Sequence, residues 1–184
     1  SLRRIAIVIL FIFDLSIISK MKLVVKNGFL ESEDQKYKCS IGYNGLTKNK
    51  SEGDGCTPVG TFKITKILYR PDKINDFRFN LDSEIIESKD GWCDDKNSHL
   101  YNQKICFPFK QSAERLYRDD DLYDIVCIID YNLNPIVKGK GSAIFLHVAS
   151  DDYSPTLGCV AIKKDELLQI ANHLDKDSTI FIDY

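Results

Sequence analysis

Residues 141–162 read GSAIFLHVASDDYSPTLGCVAI. His147 closes an apolar run with strand character, residues 142–146. A polar connection follows, residues 149–155, with the Asp-Asp-Tyr-Ser-Pro composition of a loop. Gly158 then precedes Cys159, and Val160–Ile162 resume an apolar run. The layout is strand, loop, Gly-Cys, strand. It suits a thiol nucleophile, because a free cysteine is only slightly ionised at neutral pH. A nearby imidazole must lower its pKa or take its proton. Glycine before the nucleophile lets the backbone turn N–H groups toward a substrate carbonyl and hold an oxyanion. A random His and Cys at this spacing would more often be a packed strand histidine and a small buried apolar residue. The residue order around this pair argues otherwise.

The signature Thr156-Leu157-Gly158-Cys159, after a strand histidine and a loop, resembles the catalytic motif of the L,D-transpeptidases. Further segments match one bacterial branch in the same order: GDGCTPVGTFKI at 53–64, GWCDD at 91–95, SAERLYRDDDLYD at 112–124 and GKGSAIFLHVA at 139–149. The resemblance implies a mainly-β fold, a β-sandwich with the site at one edge, one or two short helices and a long irregular loop region. It implies Cys159 as nucleophile, His147 as base, the Val148 carbonyl as the group that orients the imidazole, and Gly158 at the oxyanion site. The partner implied is a peptidoglycan stem peptide, cleaved after an L-configured centre and passed to an amine. The implied location is the cell envelope. Three departures from better-known members stand out. The loop is shorter, Leu157 replaces a frequent His or Lys, and Ala161 replaces a frequent Arg or Asn.

Around this segment, 184 residues suffice for one domain with a sizeable core. Apolar residues make up 43% and charged residues 28%, ordinary for a globular chain. A net charge of −2 gives no footprint for nucleic acid. The 10 Phe and 9 Tyr favour strands. The six cysteines contain no CxxC pair, and the Cys93, His99, Cys106 spacing fits no common zinc pattern. No metal, nucleotide, flavin or other cofactor is expected, and a monomer is.

Residues 1–20 stand apart: Arg3-Arg4 precede a short apolar run, which reads as a signal anchor or an upstream extension. Any membrane contact would come through them, and residues 21–184 form the catalytic unit. Strands are expected at Lys22–Lys26, around Phe29-Leu30, at 37–42, and from Thr61 through Leu68, with Asn27-Gly28 as a turn. Residues 47–55 read as a polar loop and 71–110 as a long irregular one. Within the latter, Trp92 reads as a core or lid anchor or as a cover over the acyl donor. Residues 112–117 open like a short helix. Arg118 reads as part of a solvated charge cluster or as a holder of a substrate carboxylate. Thr156, Trp92 and Arg118 are the candidate substrate-binding residues. Residues 124–131 should form a central strand in an antiparallel hairpin with the His147 strand. Residues 163–174 have helical periodicity, and 178–183 form a closing strand. Three other functions fit the same sequence. They are a cell-wall-binding module without catalysis, a thiol hydrolase of small amides, and a carboxypeptidase or endopeptidase with water as acceptor.

Overall fold

The computed structural model describes residues 20–33, 35–75 and 78–184; the signal-anchor expectation for residues 1–20 lies almost wholly outside them. The strands are β1 (Lys22–Lys26), β2 (Phe29–Ser32), β3 (Gln35–Lys38), β4 (Leu46–Thr47), β5 (Thr57–Pro58), β6 (Gly60–Tyr69) and β7 (Ser83–Ile85). They continue with β8 (Asp90–Cys93), β9 (Lys104–Cys106), β10 (Ala113–Arg115), β11 (Ile125–Ile129), β12 (Phe145–Val148) and β13 (Val160–Ile162). Helix α1 (Lys164–His173) and β14 (Thr179–Ile182) complete the chain.

A nine-stranded sheet runs β13-β12-β11-β6-β14-β1-β2-β3, with β7 on β6. Long β6 serves both halves. Its first residues pair with β14 and its last with β11, both antiparallel. The chain after β3 returns to the far edge. Ser40 N donates to Ala161 O at 2.8 Å, and Ala161 N donates to Ser40 O at 2.9 Å. That exchange closes the sheet into a barrel-like sandwich and brings the loops after β3 beside β13.

The β1–β2 turn uses Asn27 and Gly28, both at positive φ, 52° and 77°, as a two-residue hairpin of this hand requires. Strand β11 is buried along its whole length. Ile125, Cys127 and Ile129 enter the main core with residues of both sheet halves and of α1. Val126 and Ile128 face a second cluster with Trp92, Leu116, Tyr123, Phe145 and Cys159. A strand covered on both faces reads as a continuous apolar run, which is why residues 124–131 stood out. Helix α1 buries Leu167, Leu168, Ile170 and Ala171, as its periodicity requires, with Asp165 and Glu166 in the first turn.

Two expectations are corrected. Residues 112–117 are not helical. Ala113–Arg115 form β10, paired antiparallel with β8. Six residues cannot sustain an isolated helix, and pairing on β8 satisfies the backbone instead. Residues 71–110 are not structureless either, since they supply β7, β8 and β9. The strands β10-β8-β9 form a small separate sheet. At three or four residues each, such strands show no readable alternation.

Candidate active site

Strand β12 lies between β11, antiparallel, and β13, parallel, with His147 opposite Val126 and Ala161. Alternation sends Leu146 and Val148 into the main core. Phe145 and His147 therefore face the other way, toward β10-β8-β9. There the Tyr123 ring meets His147 edge-on, 5.2 Å between centroids at 80°. His147 Nδ1 lies 2.8 Å from the Val148 carbonyl oxygen. A carbonyl only accepts, so Nδ1 carries the proton and Nε2 keeps a free lone pair. Burial holds His147 down at about 4, against an upward pull from the carbonyls of Val148 and Leu122. The imidazole is neutral at pH 7.

Cys159 sits just before β13, 7% exposed. Its Sγ accepts from Phe145 N at 3.3 Å and donates to Ala143 O at 3.1 Å. Ala143 has a positive φ of 52° and donates its N–H to Asn102 Oδ1 at 3.0 Å. The same oxygen accepts Trp92 Nε1 at 2.9 Å. Burial, then Glu114, pushes the Cys159 thiol up to about 12, while Phe145 N–H and Lys50 pull it down. The thiol therefore keeps its proton at pH 7.

Gly158 adopts a φ of 145°, and a Cβ there would stand 2.9 Å from Cys56 O. Only glycine fits this conformation and this approach. Thr156 Oγ1 donates to Cys159 O at 2.7 Å and accepts Gly158 N at 3.1 Å. Thr156 thus shapes the Gly-Cys turn as well as lining the cleft.

His147 and Cys159 both open on a cleft of about 540 Å³, with Lys50, Glu114, Arg118 and Tyr123 also on its wall. Exposed Leu157 and Tyr43 rim it. Burial raises the Glu114 pKa, and Tyr123 Oη donates to Glu114 Oε1 at 2.7 Å. Arg118 is on the wall but bonded in a fork to Asp120, at 2.8 and 2.6 Å. Trp92 is placed differently from the substrate-binding position expected of it. At 5% exposure it packs edge-on against Phe145, 5.1 Å between centroids, beneath the site and off the cleft wall. It is an anchor: its N–H reaches the Asn102 oxygen that also holds Ala143.

Sequence reasoning missed Lys50, Asn102, Glu114 and Tyr123. Their sequence neighbourhoods read as loop, short helix or charge cluster, and only folding brings them to the site. His99 and His173 are exposed, away from the cleft. All six cysteines are free thiols.

His147 and Cys159 thus line one cleft at the edge of a mainly-β fold. The model of the L,D-transpeptidase catalytic domain matches residues 14–182, and the chain belongs to that family. Among solved structures it is similar to L,D-transpeptidase 1 of Mycobacterium tuberculosis, with 9% identity, a TM-score of 0.42, and coverage of 88% of this chain and 58% of that one. It is also similar to Bd1075 of Bdellovibrio bacteriovorus, with 16% identity, a TM-score of 0.45, and coverage of 90% and 48%. An L,D-transpeptidase of Mycobacterium smegmatis gives 10% identity, a TM-score of 0.42, and coverage of 90% and 59%. The chain thus spans about half to three-fifths of the length of these structures. No curated protein matches the sequence.

Proposed function

We propose that this chain is a cysteine acyltransferase that takes an acyl group from a peptidoglycan stem peptide and passes it to an amine. The observation that carries this is the His147 tautomer. Its Nδ1 is committed to the Val148 carbonyl, so Nε2 is a base, on the same cleft as Cys159. Both groups rest neutral. Cys159 leaves Ala143 O, gives its proton to His147 Nε2 and attacks the donor carbonyl carbon. A tetrahedral oxyanion forms, with the Cys159 backbone N–H, aimed by Gly158, as a donor to it. His147 then protonates the leaving amine and the thioester remains. The acceptor amine attacks this thioester, gives up its proton by way of His147, and Cys159 is released. No carboxylate partner for His147 is needed, because the Val148 carbonyl performs the orienting role.

Thr156 fixes the turn, and Arg118 on the wall is a partner for a donor carboxylate once it exchanges Asp120 for substrate. The exposed Leu157 supplies apolar contact at the rim. The place of action follows from the substrate: the cell envelope.

Intact mass spectrometry after incubation with a stem tetrapeptide, or with a carbapenem as acyl donor, tests the reading. A single adduct mapping to Cys159 is expected. His147→Ala should remain folded and slow its formation by about 100-fold or more. An adduct on another cysteine, or none on folded wild type, would refute it.

A further inference from the structure

Lys50 lies in a loop that reads as fully polar, yet it is only 5% exposed. Its aliphatic stem runs beneath two glycines of the site. A Cβ on Gly141 would meet Lys50 Cγ at 2.8 Å, and one on Gly158 would lie 3.7 Å from Lys50 Cε. The ammonium is one bond beyond that carbon. It donates to Ser51 O at 3.2 Å and pairs with Asp54. Asp54 also accepts Ser51 N at 2.8 Å and Cys56 N at 2.9 Å. Burying an ammonium costs hydration that its ion pair only about returns, so two apolar side chains in place of Lys50 and Asp54 could hold the loop as well. What an apolar chain would not supply is a fixed positive charge.

Besides Lys50, the cleft that holds Cys159 carries Glu52, Asp94, Glu114 on β10, Arg118, Tyr123 before β11 and His147 on β12; of the charged side chains, Glu114 and Lys50 act on the thiol. His147 is neutral and Tyr123 keeps its proton, since burial raises its pKa. Glu114 opposes negative charge at the thiol, and Lys50 favours it.

We propose that Lys50 is a positioning residue for the nucleophile. Its buried ammonium beneath Gly158 favours negative charge on Cys159 Sγ and, in the acyl-transfer reading above, on the oxygen of the tetrahedral intermediate. Asp54 holds the ammonium in place and offsets part of its charge. The two members of this ion pair therefore act on the thiol with opposite sign.

That opposition separates an electrostatic role from a structural clamp. The readout is the rate of iodoacetamide labelling of Cys159, mapped by peptide mass spectrometry, at several values from about pH 8 to 10. Rate ratios at one pH below the thiol pKa give the direction of the change without full titration. Lys50→Met should label Cys159 about threefold more slowly, since a tenfold smaller thiolate fraction is partly offset by a more nucleophilic thiolate. Lys50→Arg should restore a rate close to wild type, and Asp54→Asn should label faster than wild type. If Lys50→Met and Asp54→Asn move the rate in the same direction, the pair is a clamp and the proposal fails. Should Lys50→Met not fold by circular dichroism, Asp54→Asn decides alone, and an equal or slower rate overturns the proposal. Iodoacetamide needs no peptide, so a chain that failed the acyl-adduct test would still answer this one.

Discussion

Replacing Gly158 by alanine adds one carbon at the step before Cys159, whose thiol and N–H are the nucleophile and oxyanion donor of the proposed reaction. The added Cβ would stand 2.9 Å from the Cys56 carbonyl oxygen, closer than real Cβ contacts. Cys56 cannot simply retreat, because its N–H is bonded to Asp54 at 2.9 Å. The φ of 145° is itself glycine territory, where another residue pays on the order of 1–3 kcal/mol. Gly158 must therefore change its torsions, and the Gly158–Cys159 peptide rotates with them. That rotation takes the Cys159 N–H off the oxyanion. Loss of one such donor costs about 100- to 1,000-fold in rate. Gly158→Ala should thus lose stability by the strain alone, on the order of 1–3 kcal/mol, while kcat falls by about 100-fold or more. Donor binding should change by only a few-fold, because the oxyanion exists only along the reaction path. The assay is kcat and the stem-peptide dissociation constant on a variant shown to be folded by circular dichroism. Near-full kcat in folded Gly158→Ala would mean that the oxyanion is held elsewhere and that Gly-Cys is merely a turn.

His147 gives a pH test of stability. Its folded pKa, about 4, lies below its ordinary 6.5, so the unfolded chain binds more protons between those values. Stability should therefore be fully present above about pH 6.5 and fall toward pH 4, by on the order of 3 kcal/mol at most. Urea unfolding at about pH 7 and pH 4.5 should show a smaller difference in folded His147→Gln than in wild type; an equal difference would mean that His147 is not buried as a neutral base. Asn102→Ala should leave the Trp92 and Ala143 N–H groups without their acceptor, a loss of about 1–3 kcal/mol for each, with reduced kcat as the Ala143 carbonyl shifts away from Cys159. Unchanged stability and kcat in Asn102→Ala would remove the role given to that network.

The strands at β1, β6, β11, β12 and β14 and helix α1 were legible in the sequence because each carries its own periodicity or a continuous apolar run. So were the His147 strand and the Gly-Cys turn. Strand, loop and glycine within one short segment constrain where two side chains can go. The small sheet β10-β8-β9 was not legible. Its strands are too short for a pattern, and they exist only because they pair with one another. Trp92 shows the same limit, since nothing local says whether an indole roofs a cleft or supports it from below. The Asn102 oxygen settles that by holding Trp92 and Ala143 together. Lys50, Glu114 and Tyr123 sit 109, 45 and 36 positions before Cys159. The Cys159 thiol is neutral at rest because burial and Glu114 outweigh Lys50 and the Phe145 N–H. Residue types and spacing singled out Cys159 and His147 as the candidate pair, and the fold sets both on one cleft. The charge state in which they rest is a sum of distances and burial that only the tertiary structure fixes.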